Sequence, residues 1–301
     1  MKIGFVAQMA DSRLLKRAPR YSEIRDIVQQ VEESGFDSVW LYDHLLYRFE
    51  PGQTIGIWEC WSFMAALAEA TQRVELGALV SCTQFRNPAL LAKMAETVDE
   101  ISSGRLILGL GAGWNVPEFE AFGYPSNHLV DRFEETLQII HPLIKTGRCD
   151  FAGQYYQAKD CEITPRGPRP GGIPILMGAF GPRMLSLAAR YADAWNTCYL
   201  TTPDTLDEPL GKLQTAMQAE GRDPATMEIT VLVSLGYPDI GEPPKPEDPY
   251  LSGTEEELAC VMKGYADKGV SHLMFHTNPH NSEAVDRLSK AVYRYKQNIP
   301  V

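Results

Sequence analysis

The amino-acid sequence predicts a closed (β/α)8 barrel. Three observations carry this expectation: eight short runs rich in apolar and β-branched residues, helix-period segments between them, and no apolar–polar alternation of the kind a half-wet sheet shows. Strands covered on both faces belong to a parallel sheet wrapped in helices, and eight such units closing on themselves make the barrel.

The first run, KIGFVAQ from Lys2, precedes a helical segment over 21–34 that Gly35 ends. SVWLYD from Ser38 precedes a helix over 58–71, and VELGALVS from Val74 precedes one over 88–102, closed by Ser102-Ser103-Gly104. RLILGLGAG from Arg105 leads to a helix over 129–146, IPILMG from Ile173 to one over 182–191, and ADAWNT from Ala192 to one over 204–220. MEITVLVSL from Met227 leads to a helix over 254–268 that Gly269 ends, and VSHLMFH from Val270 to a last helix over 281–296. Glycine at these helix ends suits a left-handed cap. Two stretches interrupt the pattern as insertions: 149–172, where FAGQYYQ reads as a hairpin and PRGPRPGG as an irregular link, and the Pro-, Gly- and acid-rich 236–252. A doubly wound open sheet is the alternative architecture, but no GxGxxG followed by an acid comes after the first strand.

The 301 residues are 44% hydrophobic and 22% charged, an ordinary globular composition that excludes disorder, collagen and a coiled coil. With 28 Lys+Arg against 39 Asp+Glu the net charge is −11, which works against nucleic acid and anionic membranes as partners. Six cysteines without a CxxC pair indicate reduced thiols, neither a zinc site nor a disulfide framework. The opening MKIGFVAQMADSR reaches polar and charged residues too soon for a secretory signal, and no stretch approaches membrane-spanning length, so a cytoplasmic enzyme acting on a small molecule is expected.

Active sites of such barrels lie where strand C-termini meet the following loops. Four loops stand out. Asp43-His44 sets a carboxylate beside an imidazole, whose ordinary pKa of about 6.5 suits proton transfer or a hydrogen bond to a carbonyl. In 109–115 (GLGAGWN), Gly111 and Gly113 let backbone approach a planar ligand, and Trp114 with Asn115 offers a stacking wall. In 177–183 (MGAFGPR), the small residues Gly178, Ala179 and Gly181 with Phe180 run into a helix opened by Pro182, and free N–H groups with Arg183 make a phosphate cradle. In 80–88 (VSCTQFRNP), Cys82 has no visible base to activate it. His272, His276 and His280 span a strand and its exit, where a four-residue spacing does not cluster ligands, so no metal is expected; His276 sits at the strand end and can line the pocket. Tyr47, Phe49, Trp58 and Trp61 are candidate pocket aromatics, and the loops 48–57 and 236–252 are candidate lids.

Together, GFDSVWLYDH (35–44), VELGALVSCTQFRNPALLAKMAETVDEISSGRLILGLGAGW (74–114), DRFEETLQII (131–140) and IPILMGAFGPRMLSLAARYADAWNT (173–197) resemble the luciferase-like monooxygenase superfamily, more closely its branch using the deazaflavin coenzyme F420. The resemblance implies one TIM-barrel domain over 1–301, often a homodimer, with the ring in the barrel mouth. It implies His44 as proton donor or substrate anchor with Asp43 beside it, a non-proline cis peptide at about Leu79-Val80 pressing on the ring, and Gly178–Arg183 as the phosphate loop. Sugar-phosphate dehydrogenases of this kind carry Glu where this chain has Trp114, which points away from glucose-6-phosphate and toward a more apolar pocket. The expected activity is hydride transfer between F420 and a small organic substrate. The alternatives are an FMN-dependent monooxygenase that uses oxygen and a partner flavin reductase, and a non-catalytic flavin-binding barrel.

Overall fold

The computed structural model of the protein describes residues 1–12, 15–50, 52–198, 200–241 and 249–297. Eight parallel strands form the barrel: β1 (Lys2–Val6), β2 (Ser38–Leu41), β3 (Glu75–Ala78), β4 (Leu106–Gly111), β5 (Ile175–Gly178), β6 (Ala194–Thr197), β7 (Glu228–Gly236) and β8 (His272–Asn278). Each pairs with the next along the chain and β8 pairs back onto β1, so the barrel sheet has no free edge. The covering helices are α1 (Tyr21–Glu33), α2 (Cys60–Ala70), α3 (Pro88–Ile101), α4 (Leu129–Thr146), α5 (Pro182–Tyr191), α6 (Asp207–Ala219), α7 (Glu255–Asp267) and α8 (Ser282–Lys296).

Local chemistry accounts for the helix limits. Asn87 accepts from the backbone of Ala89 and Leu90 to start α3, with Pro88 in its first turn. Thr254 and Glu257 exchange bonds as a capping box for α7. Gly35, Gly104 and Gly269 have φ of +84°, +84° and +85°, the left-handed caps expected at those three ends. α2 starts at Cys60, two residues later than its periodicity predicts, because the Glu59 carboxylate accepts from Trp61 N and Ser62 N and makes Glu59 the cap. The sixth helical segment divides into a 3-10 turn, Pro203–Leu206, and α6.

The first insertion holds a hairpin of Arg148–Ala152 and Gln157–Glu162, as its turn residues predict. Residues 242–248 of the second lie outside the described residues. Several elements after strand ends went unpredicted, among them the small hairpin Leu46–Tyr47 with Ile55–Gly56, and the short helix Val116–Phe122. Both are too short to show a periodicity.

Outward strand faces and helices share the main core, while Val6, Trp40, Leu79, Leu176, Ala194 and Met274 fill the barrel interior separately. Toward the N-terminal end of the barrel, Trp40 Nε1 donates to Ser38 Oγ (2.7 Å), which also meets His272 Nε2 at 2.7 Å. Burial pushes the His272 pKa down to about 3, so this imidazole is neutral at pH 7. The Trp40 indole crosses the interior only because Gly77 and Gly4 lack side chains: a Cβ at Gly77 would lie 2.4 Å from Trp40 Cζ3 and 2.9 Å from Ile107 O. Among the described residues no helix is long and apolar enough to cross a membrane.

Gly77→Ala is therefore expected to destabilise the protein by about 1–3 kcal/mol through overpacking. Gly211→Ala, inside α6 with nothing within 4 Å of its Cβ, is expected to stabilise it by up to about 1 kcal/mol. Urea denaturation of both variants measures the opposite signs.

Candidate active site

At the exit of β2 the chain presents Asp43 and His44 in opposite directions. The Asp43 carboxylate is buried and accepts from Arg86 Nη1 (2.6 Å), Arg86 Nη2 (3.0 Å) and Cys82 N (3.0 Å). Arg86 Nη2 also donates to Glu59 Oε1 (2.6 Å). Burial opposes the Arg86 charge, but Asp43 and Glu59 outweigh it and raise its pKa. With its donors all on the protein side, Asp43 acts as a strut that fixes the loop beside it.

His44 Nδ1–H donates to Glu118 Oε1 at 2.8 Å, and Leu45 N donates to Glu118 Oε2 at 2.8 Å. Glu118, on the short helix Val116–Phe122, is only 1% exposed, whereas the His44 side chain is 14% exposed. A carboxylate on Nδ1 fixes the tautomer and leaves Nε2, which has no hydrogen-bond partner among the described residues. Tyr47 packs on the imidazole (4.5 Å between centroids), and Trp114 meets it edge-on at 5.5 Å.

The peptide bond between Leu79 and Val80 is cis, at the position the resemblance implies. Val80 reaches across to β4 and β5: a Cβ on Gly111 would come within 2.6 Å of Val80 Cγ2, and one on Gly178 within 3.3 Å. A Cβ on Gly109 would lie 1.9 Å from Ala78 O. Thus these glycines admit the protein's own bulge rather than leaving open space for a ligand. Gly113 holds φ +82° with Cys82 Sγ and Phe119 against it. The exposed loop surfaces come from Trp114 (60%) and Phe180 (57%), which follow the neighbouring strands β4 and β5.

Other predicted site residues have different surroundings. Asn115 is buried and donates to Leu46 O (2.8 Å), and buried Ala179 offers its carbonyl to Trp195 Nε1 (2.8 Å), so these two brace the loops. Gly181 is exposed at the start of α5, but the Arg183 guanidinium is shared between Asp131 and Glu134 of α4. Trp61 belongs to the main core, and Trp58 donates to Pro19 O and stacks on Phe63. Burial and the charge of Asp43 push the Cys82 thiol far up, which leaves no ready thiolate.

A second polar group lies on and just after the neighbouring strands β8 and β1. His272, Met274 and His276 alternate into the barrel, and His276 Nε2 meets Gln8 Oε1 at 3.3 Å, while Gln8 N donates to His280 Nε2 at 3.1 Å. Tyr42 meets the His276 ring edge-on. Burial pushes His276 down to about 4, and burial with His276 pushes His280 to about 3. This wall is uncharged at neutral pH. Among the described residues no group of three or more His, Cys, Asp or Glu is placed to hold a metal.

Glu118, Arg86 and Gln8 escaped the sequence reading. Glu118 had a weak signal, an acid in PEFE right after the glycine loop. Trp114 stands where the resemblance places a Glu in sugar-phosphate dehydrogenases, and the carboxylate beside His44 comes from Glu118, four residues later.

The luciferase-like monooxygenase family model matches residues 1–237. This chain belongs to that family and is an oxidoreductase. It is 31% identical to the pyrimidine monooxygenase RutA of Stutzerimonas stutzeri, over 83% of this chain and 71% of that one. It is 28% identical to an F420-dependent glucose-6-phosphate dehydrogenase of Amycolatopsis mediterranei, over 86% of this chain and 90% of that one. In fold it is similar to an F420-dependent secondary alcohol dehydrogenase in complex with an F420-acetone adduct, with a TM-score of 0.82, 20% identity and 98% of each chain covered.

Arg86→Leu leaves the Asp43 carboxylate buried without its counter-charge, and a loss of about 3–5 kcal/mol is expected in urea denaturation. The three depressed histidines set a pH dependence. In the unfolded chain they titrate near 6.5 and in the folded protein only at about 4 or 3, so the unfolded state binds more protons in between. Stability contributed by their burial is present above pH 6.5 and is lost as pH falls toward 4, by up to about 1.4 kcal/mol per pH unit for each histidine. Denaturation at pH 7 and pH 5 measures the slope, and His276→Asn reduces it.

Proposed function

We propose that the protein transfers a hydride between coenzyme F420 and a small uncharged organic substrate, with His44 handling the proton. The observation that carries this reading is the His44–Glu118 pair at the exit of β2, with no partner on Nε2 among the described residues, next to Asp43, which takes the Cys82 amide two residues after the cis Leu79–Val80 bond. In support, the chain aligns along 90% of the F420-dependent relative but only 67–75% of the pyrimidine monooxygenases, which carry additional length.

The residues at the mouth suit a planar ring with a phosphate tail. Val80 supplies a backing against Gly111 and Gly178, Trp114 and Phe180 leave apolar surface for a ring to cover, and the loop from Gly178 runs into the first turn of α5, whose amides have no side-chain cap. Because Arg183 is engaged with Asp131 and Glu134, those amides rather than its guanidinium are the phosphate donors in this reading. When bound, a deazaflavin supplies a two-electron hydride acceptor or donor with little reactivity toward oxygen.

His44 Nε2 takes the hydroxyl proton in the oxidative direction and returns it to the carbonyl oxygen in the reductive one. Glu118 orients the imidazole and stabilises the imidazolium, as a carboxylate behind a catalytic histidine does. In this reading the substrate is uncharged because Arg86 and Arg183 are held by carboxylates and the Gln8–His276–His280 wall is neutral. A phosphorylated sugar would find no available cation among these residues.

The pyrimidine monooxygenase relatives favour a second reading, an FMN-dependent oxygenase served by a flavin reductase. Side-by-side fluorescence titration of the cofactor-free protein separates the two: tight F420 with weak FMN is the expected result, and the reverse order supports the oxygenase. His44→Asn is expected to lower turnover by about two to four orders of magnitude with cofactor affinity nearly unchanged. Glu118→Gln is expected to lower it less and to shift the pH profile of kcat.

A further inference from the structure

The hairpin after α4 carries two cysteines in register. Cys149 on its first strand lies directly opposite Cys161 on the second, and the two are unbridged in this structure. Residues opposite one another on an antiparallel pair project from the same face. Cys149, 9% exposed, belongs to the main core and Cys161 packs against that core, so both sulfurs lie on the side that covers the barrel's helices. Ile163 N donates to Gly147 O, so 147/163 and, two residues further, 149/161 are hydrogen-bonded opposite pairs. Such pairs hold their Cα atoms about 5.5 Å apart, within the roughly 4.4–6.8 Å that a disulfide spans.

We propose that Cys149 and Cys161 form a site of reversible oxidation, closing a disulfide across the base of the hairpin when the protein meets a hydroperoxide. Cys161, the more accessible thiol, attacks the peroxide as its thiolate; the O–O bond breaks, an S–O bond forms, and an alcohol or water leaves. Cys149 then attacks the Cys161 sulfur, the S–S bond replaces the S–O bond, and water departs with the second thiol proton. Two thiols are oxidised by two electrons and one peroxide is reduced. Burial, then the neighbouring Cys161, raises the Cys149 thiol pKa, which suits the resolving partner rather than the first attacker.

The crosslink would staple a segment that already bridges two parts of the fold. At the hairpin turn, Gln154, Tyr155 and Tyr156 donate their N–H groups to Glu135 of α4, and the Tyr156 hydroxyl donates to Gln84 Oε1 at 3.1 Å, beside the exit of β3. At the base, Cys149 Sγ points to Gln138 O of the same helix. The site is separate from His44 and Glu118, and it stands whichever cofactor the mouth binds.

The test is oxidation of the intact protein with hydrogen peroxide, alkylation with N-ethylmaleimide in denaturant, and digestion with trypsin. Cleavage after Arg148, Lys159 and Arg166 places the two cysteines on separate peptides, 149–159 and 160–166. The expected product is these peptides joined, lighter than the two thiols by two hydrogens and separated by reductant, together with a melting temperature raised by several degrees. Cys161→Ser, at the more accessible position, is expected to melt like the unoxidised protein and to lose both the joined peptide and the oxidative gain. Exposed Cys260 on α7 reports delivery of the oxidant. Recovery of both hairpin cysteines as alkylated thiols while Cys260 is oxidised overturns the proposal, as does pairing of Cys161 with any other cysteine.

Discussion

A single buried guanidinium organises the strand-exit end of this barrel. Arg86 joins the Asp43 carboxylate at the exit of β2 to Glu59, the cap of α2, and Asp43 in turn takes the Cys82 amide that follows the cis bulge after β3. One charge network therefore sets the relative positions of three loops. His44 inherits its place from it: with its neighbour anchored inward, the imidazole turns the other way, toward Glu118 and the mouth. The network is also costly, since each of its groups has left water, and it persists because every charge in it has a close partner.

Volume is the second constraint. The barrel interior must admit an indole from β2 and a valine from the bulge after β3, and it does so through Gly4, Gly77, Gly109 and Gly111 on the neighbouring strands. Side chains fill the space, as in barrels generally, so the interior is a packed floor and ligands are confined to the layer above it. In that upper layer His276 and His280 are held neutral by burial, whereas His44 sits beside the Glu118 carboxylate.

The acidity of the chain fits this arrangement. Its net charge is −11, and two arginines of the strand-exit loops, Arg86 and Arg183, are held by neighbouring carboxylates. An excess of acid over the whole chain and a neutral wall at Gln8, His276 and His280 give an anionic substrate no attraction on that side, in line with the apolar pocket that Trp114 suggests in the sequence.

Much of the architecture was legible along the chain because it depends on local pattern. Apolar runs, helix periods and the glycine caps at Gly35, Gly104 and Gly269 are properties of consecutive residues, and each marks its element within a few positions. The family segments marked the four loops, His44 and the Leu79–Val80 bond. The partners of those residues were not legible. Glu118 reaches His44 across 74 positions and Arg86 reaches Asp43 across 43, separations that no periodicity or motif encodes. The same limit explains why Arg183 read as a phosphate ligand and is bound to acids on α4, and why the glycines of β4 read as open space but admit Val80. By itself the sequence determined the barrel and its family, because these follow from short-range pattern. Only the tertiary structure decided which charge meets which, because a hydrogen bond depends on distance in space, and that distance is set by the closure of the barrel.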